Sequence, residues 1–306
     1  MEKVARPIRR IAQSVPVKEG GGVRLRRAFG MHRENDLDPF LLLDDFRSDN
    51  PDDYRSGFPA HPHRGFETVT YMLEGSVEHR DSLGNSGVIG PGDVQWMTAG
   101  SGIVHEEMPH GDERGRIGGF QLWVNLPAEL KMTAPRYRGV GSADIPVASL
   151  PGGGSARVIA GEVEGVRGPV DGLFVPVTFL DVTVTGNSSF KLHLPAAHNA
   201  FAYVVEGKGY FDDSGDPFEG NSIHHEKFDI EYSRSLGPNS VIVFGPGDLI
   251  AASAGEDGLR MLLGHGMPLG EPVAWSGSIV MNTRDEISAA FEELERGDFI
   301  KHEPAE

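Results

Sequence analysis

The chain has 306 residues, a formal net charge of −17 and no cysteine. This length is typical of one large or two medium domains, and the missing cysteines exclude disulfides, thiolate metal ligands and a cysteine nucleophile. Because no run of 18 apolar residues and no apolar leader is present, we expect a cytoplasmic protein that does not enter a membrane, found also in the nucleus if the host is eukaryotic.

The first 34 residues are basic, with nine Lys or Arg against three Glu, a local charge of +6 that leaves −23 on the remainder. A basic arm can attract nucleic acid, but no recognised nucleic-acid module accompanies it and the acidic bulk repels phosphate. We therefore expect no direct nucleic-acid binding. The arm is interpreted as a solvated strand whose charges balance acidic neighbours.

Short strands separated by turns dominate the chain, which contains 41 Gly and 21 Pro. Apolar alternation and turn residues predict these strands in chain order: residues 23–29, 37–46, 66–73, 77–80, 94–97 and 118–126. A short helix is predicted at residues 128–131, after Pro127, where it would connect two domains.

Two histidines, His61 and His63, come just before the third of these strands. Alternate side chains of extended backbone share a face, so the two imidazoles would point the same way from α-carbons roughly 6.6 Å apart. At metal–nitrogen distances of roughly 2.0–2.1 Å, both rings can reach one ion. Pro62 lacks an N–H and suits the end or edge of a sheet. Two surface histidines in a loop remain the alternative for this pair alone.

His105 and Glu107 repeat this spacing about forty residues later. The two pairs together offer three nitrogens and one oxygen, a set that suits iron, nickel, copper, manganese or zinc. By the same alternation Glu67 falls on the face of the first two histidines. Spacing alone therefore leaves Glu67 open as the carboxylate ligand.

The second half of the chain repeats motifs of the first. Residues 71–75 correspond to 203–207 at an offset of 132, and residues 90–93 to 245–248 at an offset of 155. The difference places about 23 extra residues within 212–236. This insertion contains His224, His225 and Glu226, which are interpreted as part of a solvated loop.

The same offsets give a control for the metal site. They place Arg260 and Leu262 at the positions of His105 and Glu107. The second copy would thus keep the scaffold without the ligands, which predicts one metal per chain.

One α-helix is predicted near the C-terminus, at about residues 283–296. Thr283 and Glu286 form a capping-box pattern, and Gly297 can end the helix. The spacing i, i+3, i+4, i+7 gives one apolar stripe, which we expect to pack on a sheet: Ile287, Ala290, Phe291 and Leu294.

Two similar all-β units joined by a short linker helix predict two tandem jelly-roll barrels, at residues 1–136 and 137–306, the second carrying the C-terminal helix. The motifs of the first barrel closely resemble those of the pirin family, at residues 37–42, 61–69, 92–100 and 121–126. The resemblance is most specific over residues 36–127 and looser from about 137 to 270.

Pirins are two-barrel cupins with one metal, usually iron, in the N-terminal barrel. The resemblance implies iron(II) as cofactor, with nickel, copper, cobalt, manganese or zinc as alternatives. It favours Glu107 as the carboxylate ligand and gives Glu67 the part of a support that orients a ligand. The implied ligand set is His61, His63, His105 and Glu107.

The family implies two different functions. The first is a quercetin 2,3-dioxygenase type of oxidoreductase, in which the metal is a Lewis acid for a flavonol and Glu107 is the candidate base for its hydroxyl proton. The second is a non-enzymatic regulatory protein that responds to the metal or its oxidation state and binds a transcription factor or metabolic enzyme. The expected partner is thus a flavonol-like small molecule or a protein, and we expect a monomer.

Overall fold

The computed structural model describes residues 4–30, 36–211, 222–225, 228–231 and 235–302. The side chains of His224 and His225, and the whole of Glu226, lie outside the described residues, so the interpretation of that insertion stays a prediction.

The described residues form strands and one α-helix, and every pair of these strands is antiparallel. The first strands are β1 (Ile8–Gln13), β2 (Val15–Glu19), β3 (Val23–Phe29), β4 (Phe40–Asp45), β5 (Phe58–His63), β6 (Phe66–Glu74), β7 (Ser76–Asp81), β8 (Ser86–Ile89), β9 (Val94–Thr98), β10 (Ile103–His110), β11 (Gly118–Asn125) and β12 (Arg136–Val140). The others are β13 (Val147–Leu150), β14 (Gly154–Ala160), β15 (Glu162–Val163), β16 (Val166–Arg167), β17 (Val177–Val184), β18 (Ser189–His193), β19 (Asn199–Tyr210), β20 (Ser222–His225), β21 (Phe228–Glu231), β22 (Ser240–Phe244), β23 (Leu249–Gly266), β24 (Ala274–Ser276) and β25 (Ile279–Met281), followed by α1 (Arg284–Arg296).

The chain divides into two compact units. The first unit consists of Ser14–Ile145, Pro169–Pro176 and Met267–Glu306, and the second of Met1–Gln13, Pro146–Gly168 and Val177–Gly266. This grouping differs at both ends from the predicted division at residues 136 and 137. Strand β1 belongs to the second unit because it pairs with β22, and α1 belongs to the first because it packs beside β25.

The first unit contains a seven-stranded sheet, in the order β12-β9-β6-β11-β4-β3-β2, and a four-stranded sheet, in the order β5-β10-β7-β8. An apolar cluster joins them, since it includes Val23 and Met72 from the larger sheet and Val77 and Ile89 from the smaller one. Two antiparallel sheets packed face to face over such a core are the jelly-roll arrangement. The all-β prediction is confirmed.

The second unit has an eight-stranded sheet, in which the long strand β23 pairs with β17, β18 and β19. Its register corrects part of the repeat alignment. His193 on β18 faces Leu249 at the start of β23, as His61 on β5 faces His105 on β10. Leu249 is therefore the counterpart of His105, and Arg260 is not. The offset failed because the turns at residues 90–93 and 245–248 are not equivalent: the first precedes β9, whereas the second follows β22 and precedes β23.

Helix α1 begins and ends as predicted. Thr283 and Glu286 form the capping box, and Gly297 adopts a left-handed conformation at the C-terminal end. Ala290 is buried, with Ile287 and Leu294 packed beside it, but Phe291 is 40% exposed and lies off the packed face. The expected linker helix is a single 3-10 turn at Ala128–Leu130. The described residues form no helix that is both long and apolar enough to cross a bilayer.

Basic residues near the N-terminus make the local ion pairs that the sequence suggested. Arg27 lies 2.8 Å from both Asp44 and Glu19, and Arg24 lies 3.3 Å from Asp53. These guanidinium groups balance acidic neighbours of the same unit.

Candidate metal centre

His61 and His63 lie on β5, the edge strand of the four-stranded sheet. An edge strand tolerates Pro62, which has no backbone N–H to donate to a neighbouring strand. Their Nε2 atoms are 3.0 Å apart. His61 Nδ1 lies 2.9 Å from the carbonyl oxygen of Pro59, and a carbonyl can only accept, so Nδ1 carries the proton. The lone pair of His61 Nε2 is therefore free to face the other rings.

The neighbouring strand β10 supplies a third imidazole. His105 is the register partner of His61 between β5 and β10, and their Nε2 atoms are 2.9 Å apart. The three ring centroids lie 4.3, 4.6 and 4.7 Å from one another. Strand pairing thus brings together the three histidines that the alternate spacing selected.

Burial keeps the imidazoles of His63 and His105 in the neutral form that binds metals. It lowers the pKa of His63 well below the usual histidine value, and the neighbouring His61 lowers it further. Burial likewise lowers the pKa of His105 well below the usual value, and the charges of His63, His61 and His79 lower it further. A neutral ring keeps one nitrogen lone pair for a metal, whereas a protonated ring has none.

Glu107, the predicted carboxylate ligand, is buried two residues after His105. Its Oε1 lies 3.3 Å from the Thr70 hydroxyl, and its Oε2 accepts a hydrogen bond of 3.1 Å from Gln121 Nε2. The Gln121 carbonyl accepts in turn from the indole N–H of Trp123 at 3.0 Å. These contacts fix the carboxylate in one position.

The candidate ligand atoms form two overlapping groups that share His105. One group is His61, His63 and His105, and the other is His79, His105 and Glu107. The four predicted ligands are thus divided between the groups, and Glu107 as a ligand stays a prediction.

His79 is the residue that the sequence did not reveal. It is fully buried on β7 and is the register partner of Glu107 on β10. The alternation in β7 could have placed its side chain on one face. The pairing of β7 with β10, which brings it to the site, leaves no mark in local spacing.

Glu67 does not share the face of the histidines, because β5 ends at His63 and β6 begins at Phe66 in the other sheet. The inference from alternation was therefore wrong. Glu67 accepts hydrogen bonds from Thr98 Oγ1 at 2.6 Å and from the Trp96 indole at 3.1 Å. Burial raises the pKa of Glu67, and this effect is larger than the opposite effect of the two hydrogen bonds. Its part as a support for a ligand stays a prediction.

The histidine cluster fits a metal ion by distance and by donor chemistry. Two ligand atoms at right angles around an ion, each about 2.1 Å from it, are about 3.0 Å apart. The measured Nε2 separations are 2.9 and 3.0 Å. Three imidazoles with a carboxylate nearby suit a divalent transition metal.

Comparison with known protein families gives matches over most of the chain. The family model described as Pirin matches residues 22–124, and the model described as Pirin C-terminal cupin domain matches residues 179–300. The chain belongs to the pirin family.

Relatives in this family match along nearly their whole length. A Pirin-like protein of Caulobacter vibrioides is 44% identical over 96% of this chain and 99% of its own length. A Pseudomonas aeruginosa protein provisionally named a quercetin 2,3-dioxygenase is 40% identical over 92% of this chain and 94% of its own. A solved structure of quercetin 2,3-dioxygenase from Acinetobacter baumannii has a TM-score of 0.83 at 33% identity, covering 97% of this chain and 99% of that one.

The turn after His63, within the region matched by the pirin model, is held by a buried lysine. Lys131 Nζ donates to the carbonyls of Gly65 at 2.8 Å and Val280 at 3.1 Å, and to Asn125 Oδ1 at 2.7 Å. Burial lowers the pKa of Lys131 to about 8. Three buried acceptors thus share one ammonium group, which ties the turn to the C-terminal segment.

Arg64 adds a second tie in the same pirin turn. It donates to the carbonyl oxygens of Ser101 at 2.7 Å and Phe299 at 2.9 Å and forms a 2.7 Å ion pair with Glu293. Its guanidinium also lies 4.1 Å from the centre of the Phe299 ring. The segment around α1 therefore fixes the backbone that follows the two histidines.

A small cavity of about 20 Å³ lies beside Glu107. It is lined by Leu25, Asp44, Phe46, Phe58, Thr70, Val77, Glu107, Pro109 and Gln121. A water molecule needs about 10–15 Å³ of such volume, so this space admits water but no drug-sized ligand.

Proposed function

We propose that this pirin is a metal-dependent oxidoreductase of the quercetin 2,3-dioxygenase type. The observation that carries the proposal is the convergence of three imidazoles at Nε2 separations of 2.9 and 3.0 Å, with a buried carboxylate near the third. The Acinetobacter baumannii structure with that named activity covers 97% of the chain at 33% identity. Fold alone does not determine function, so the site carries the argument.

We assign His61, His63, His105 and Glu107 as the metal ligands and iron(II) as the metal. The donor set also accepts nickel, copper, cobalt, manganese or zinc, so metal supply contributes to the choice. When bound, the metal supplies a Lewis acid that favours loss of a proton from a hydroxyl group beside it.

Glu107 has a second part in the proposal, as the acceptor of the flavonol hydroxyl proton. Its carboxylate is held by Thr70 and Gln121, so it need not reorganise to accept the proton. The three histidines hold the metal, and Glu107 is the carboxylate residue within the two groups of candidate ligands.

In this proposal the flavonol approaches from the side of His61. The cavity beside Glu107 holds about 20 Å³, whereas ligand sites have volumes of about 300–1,000 Å³. His63 and His105 are buried, but His61 is only partly buried and forms the outer side of the cluster.

The test is aerobic incubation of purified, metal-loaded protein with quercetin, following loss of the flavonol absorbance and release of carbon monoxide. Turnover should be lost in His63→Ala and in Glu107→Gln. The matched control is His265→Gln, which changes a buried histidine of the second unit and should leave turnover intact. An absence of turnover with iron, copper, nickel, cobalt and manganese in turn would refute the proposed activity.

A further inference from the structure

A chain of three buried side chains leads away from the histidine cluster. His105 Nδ1 lies 3.4 Å from His79 Nδ1, and His79 Nε2 lies 3.2 Å from Asp81 Oδ2. The side chains of His79 and Asp81 are both 0% exposed. Because His105 Nε2 faces His61 on the opposite side, both nitrogens of the His105 ring have a defined neighbour.

Asp81 is held in place by hydrogen bonds from residues other than His79. Its Oδ1 accepts from the backbone N–H groups of Leu83 at 2.9 Å and Asn85 at 3.0 Å, and the Asn85 amide reaches Oδ2 at 2.8 Å. Burial alone would raise the pKa of Asp81, but the hydrogen bonds from His79 and Asn85 outweigh it and hold that pKa below the usual value. An ionised carboxylate only accepts hydrogen bonds.

The positions of the protons on His79 and His105 follow from the ionised Asp81 at the end of this series of side chains. Since Asp81 accepts, His79 donates from Nε2, and the tautomer that this contact selects has its acceptor at Nδ1. His105 must therefore donate from Nδ1, which leaves its Nε2 lone pair facing the histidine cluster. This is the tautomer that a metal ligand bound through Nε2 requires.

We propose that Asp81 and His79 are positioning residues that hold His105 in its metal-binding tautomer and orientation, through the chain Asp81–His79–His105. The proposal rests on the metal site of the proposed function. A carboxylate at the far end of such a chain also makes the ligand nitrogen more basic, which strengthens its bond to the metal.

The group His79, His105 and Glu107 has another reading, a separate ion held by these three residues. That ion would need the lone pair of His105 Nδ1, whereas the hydrogen-bond chain places a proton there. The contact between His79 and Asp81 favours the chain, because it leaves His79 a single free nitrogen directed at His105. A second bound ion is accordingly an outcome that the experiments must detect.

The direct test uses protein labelled with ¹⁵N-histidine and loaded with Zn²⁺, a diamagnetic probe. Long-range ¹H–¹⁵N spectra should show His79 protonated at Nε2 and His105 at Nδ1. A proton on His79 Nδ1, a zinc-bound His79, or two zinc ions per chain would each overturn the proposal. The unsubstituted protein suffices, so the result does not depend on a variant that folds poorly.

Variants test the same chain by zinc affinity, measured by competition with a chelator. His79→Leu removes the acceptor and should lower affinity by about 10- to 100-fold. His79→Asn places an oxygen acceptor where Nδ1 was and should recover most of that loss. His265→Gln, which disrupts the contact of the buried His265 with His198 in the second unit, should leave the affinity unchanged.

Asp81→Asn makes the sharpest prediction. The new amide oxygen accepts from the backbone N–H groups of Leu83 and Asn85, so the amide N–H₂ group faces His79 Nε2, and the Asn85 side chain keeps only its contact with the oxygen. His79 would then carry its proton on Nδ1, opposite the Nδ1–H of His105, and zinc affinity should fall by about 10- to 100-fold. Wild-type affinity in both Asp81→Asn and His79→Leu would refute the positioning role.

These outcomes separate the two proposals. An unsubstituted protein that binds no zinc would refute the metal site itself. Zinc bound by His61, His63 and His105 with no change in the Asp81 and His79 variants would refute only the chain behind His105.

Discussion

Glu67 and Glu107 are both buried glutamates, but their neighbours differ. Glu107 accepts hydrogen bonds from Thr70 and Gln121 and shares a group of candidate ligands with His105. Glu67 accepts from Trp96 and Thr98, residues of strand β9 in its own sheet. The two carboxylates should therefore respond differently to the same substitution.

We expect Glu107→Gln to lose bound metal and Glu67→Gln to retain it. A glutamine at position 67 can accept from the Trp96 indole and donate to the Thr98 hydroxyl. The unfolding free energy of the Glu67→Gln protein should therefore fall by less than about 1.5 kcal/mol. Metal content after dialysis and urea unfolding measure the two effects. Metal loss in Glu67→Gln alone would identify Glu67 as the carboxylate ligand.

His265 gives the second unit a pH dependence that does not involve the metal. Burial, then His198 and Arg6, lower its pKa to about 3. Below the unfolded-state pKa of about 6.5, the unfolded chain binds a proton that the folded chain does not, so stability present above pH 6.5 is lost as pH falls toward 3. Below pH 6.5, the unfolding free energy should fall by about 1.4 kcal/mol for each pH unit.

Urea unfolding of wild type and His265→Gln at pH 7 and pH 5 measures this effect. The wild-type unfolding free energy should fall by about 2 kcal/mol more than that of the variant between these pH values. Equal losses in the two proteins would show that His265 titrates normally in the folded state.

The sequence predicted His61, His63 and His105 because alternate spacing is a local property of a strand. It did not predict His79, which reaches His105 through the register of β7 with β10. It misplaced Glu67 because two residues, Arg64 and Gly65, separate β5 from β6 and end the alternation. Local pattern thus selected the histidines, while the set of neighbours depends on strand pairing.

The turn between β5 and β6 fixes the end of the strand that carries His61 and His63. Gly65 has φ +86°, and a Cβ atom there would lie 1.9 Å from the carbonyl oxygen of Val280. Its own carbonyl accepts from Lys131. The turn therefore requires glycine both for its conformation and for its close approach to β25.

We expect Gly65→Ala to lower the unfolding free energy by at least about 3 kcal/mol and to weaken metal binding, because the turn must move away from Val280. Gly270→Ala is the matched control, since Gly270 has φ +68° with nothing within 4 Å of an added Cβ. That control should cost only about 1–2 kcal/mol, the price of its left-handed conformation. Chemical unfolding and metal titration of both variants provide the comparison, and similar losses would mean that the contact with Val280 is unimportant.

The pairing of whole strands also explains why the repeat was only partly predictable. Residues 71–75 and 203–207 correspond on β6 and β19, central strands of their sheets. The similar Gly-Pro-Gly-Asp turns precede β9 in the first unit but β23 in the second. Turn chemistry recurs wherever a tight reversal is needed, so it identifies a turn without identifying which strands it joins.

At the scale of the whole molecule, the candidate ligands belong to one unit. Both groups of candidate ligands among the described residues lie in the first unit, on β5, β7 and β10. A ligand that binds only the folded site stabilises that site against openings that disrupt it. Metal should therefore protect one region of the chain selectively.

We expect removal of the metal to increase hydrogen exchange in β5 and β10 by about tenfold or more, as the openings that disrupt the site become easier. Local openings of β19 and β23 leave the ligands in place and should not change. Hydrogen exchange followed by mass spectrometry, with and without a chelator, makes this comparison. Uniform deprotection of both regions would contradict a site confined to the first unit.

The exchange of chain ends between the units affects how the protein is made. Strand β1, at residues 8–13, completes its pairing only with β22, at residues 240–244. At about 5–20 residues per second, roughly 10–45 s separate the synthesis of these two strands. The first unit also requires residues 267 onwards, which are synthesised after every segment of the second unit. The second unit can therefore be completed only after its strands up to residue 266 are synthesised, and the first unit only after residues beyond that point are added.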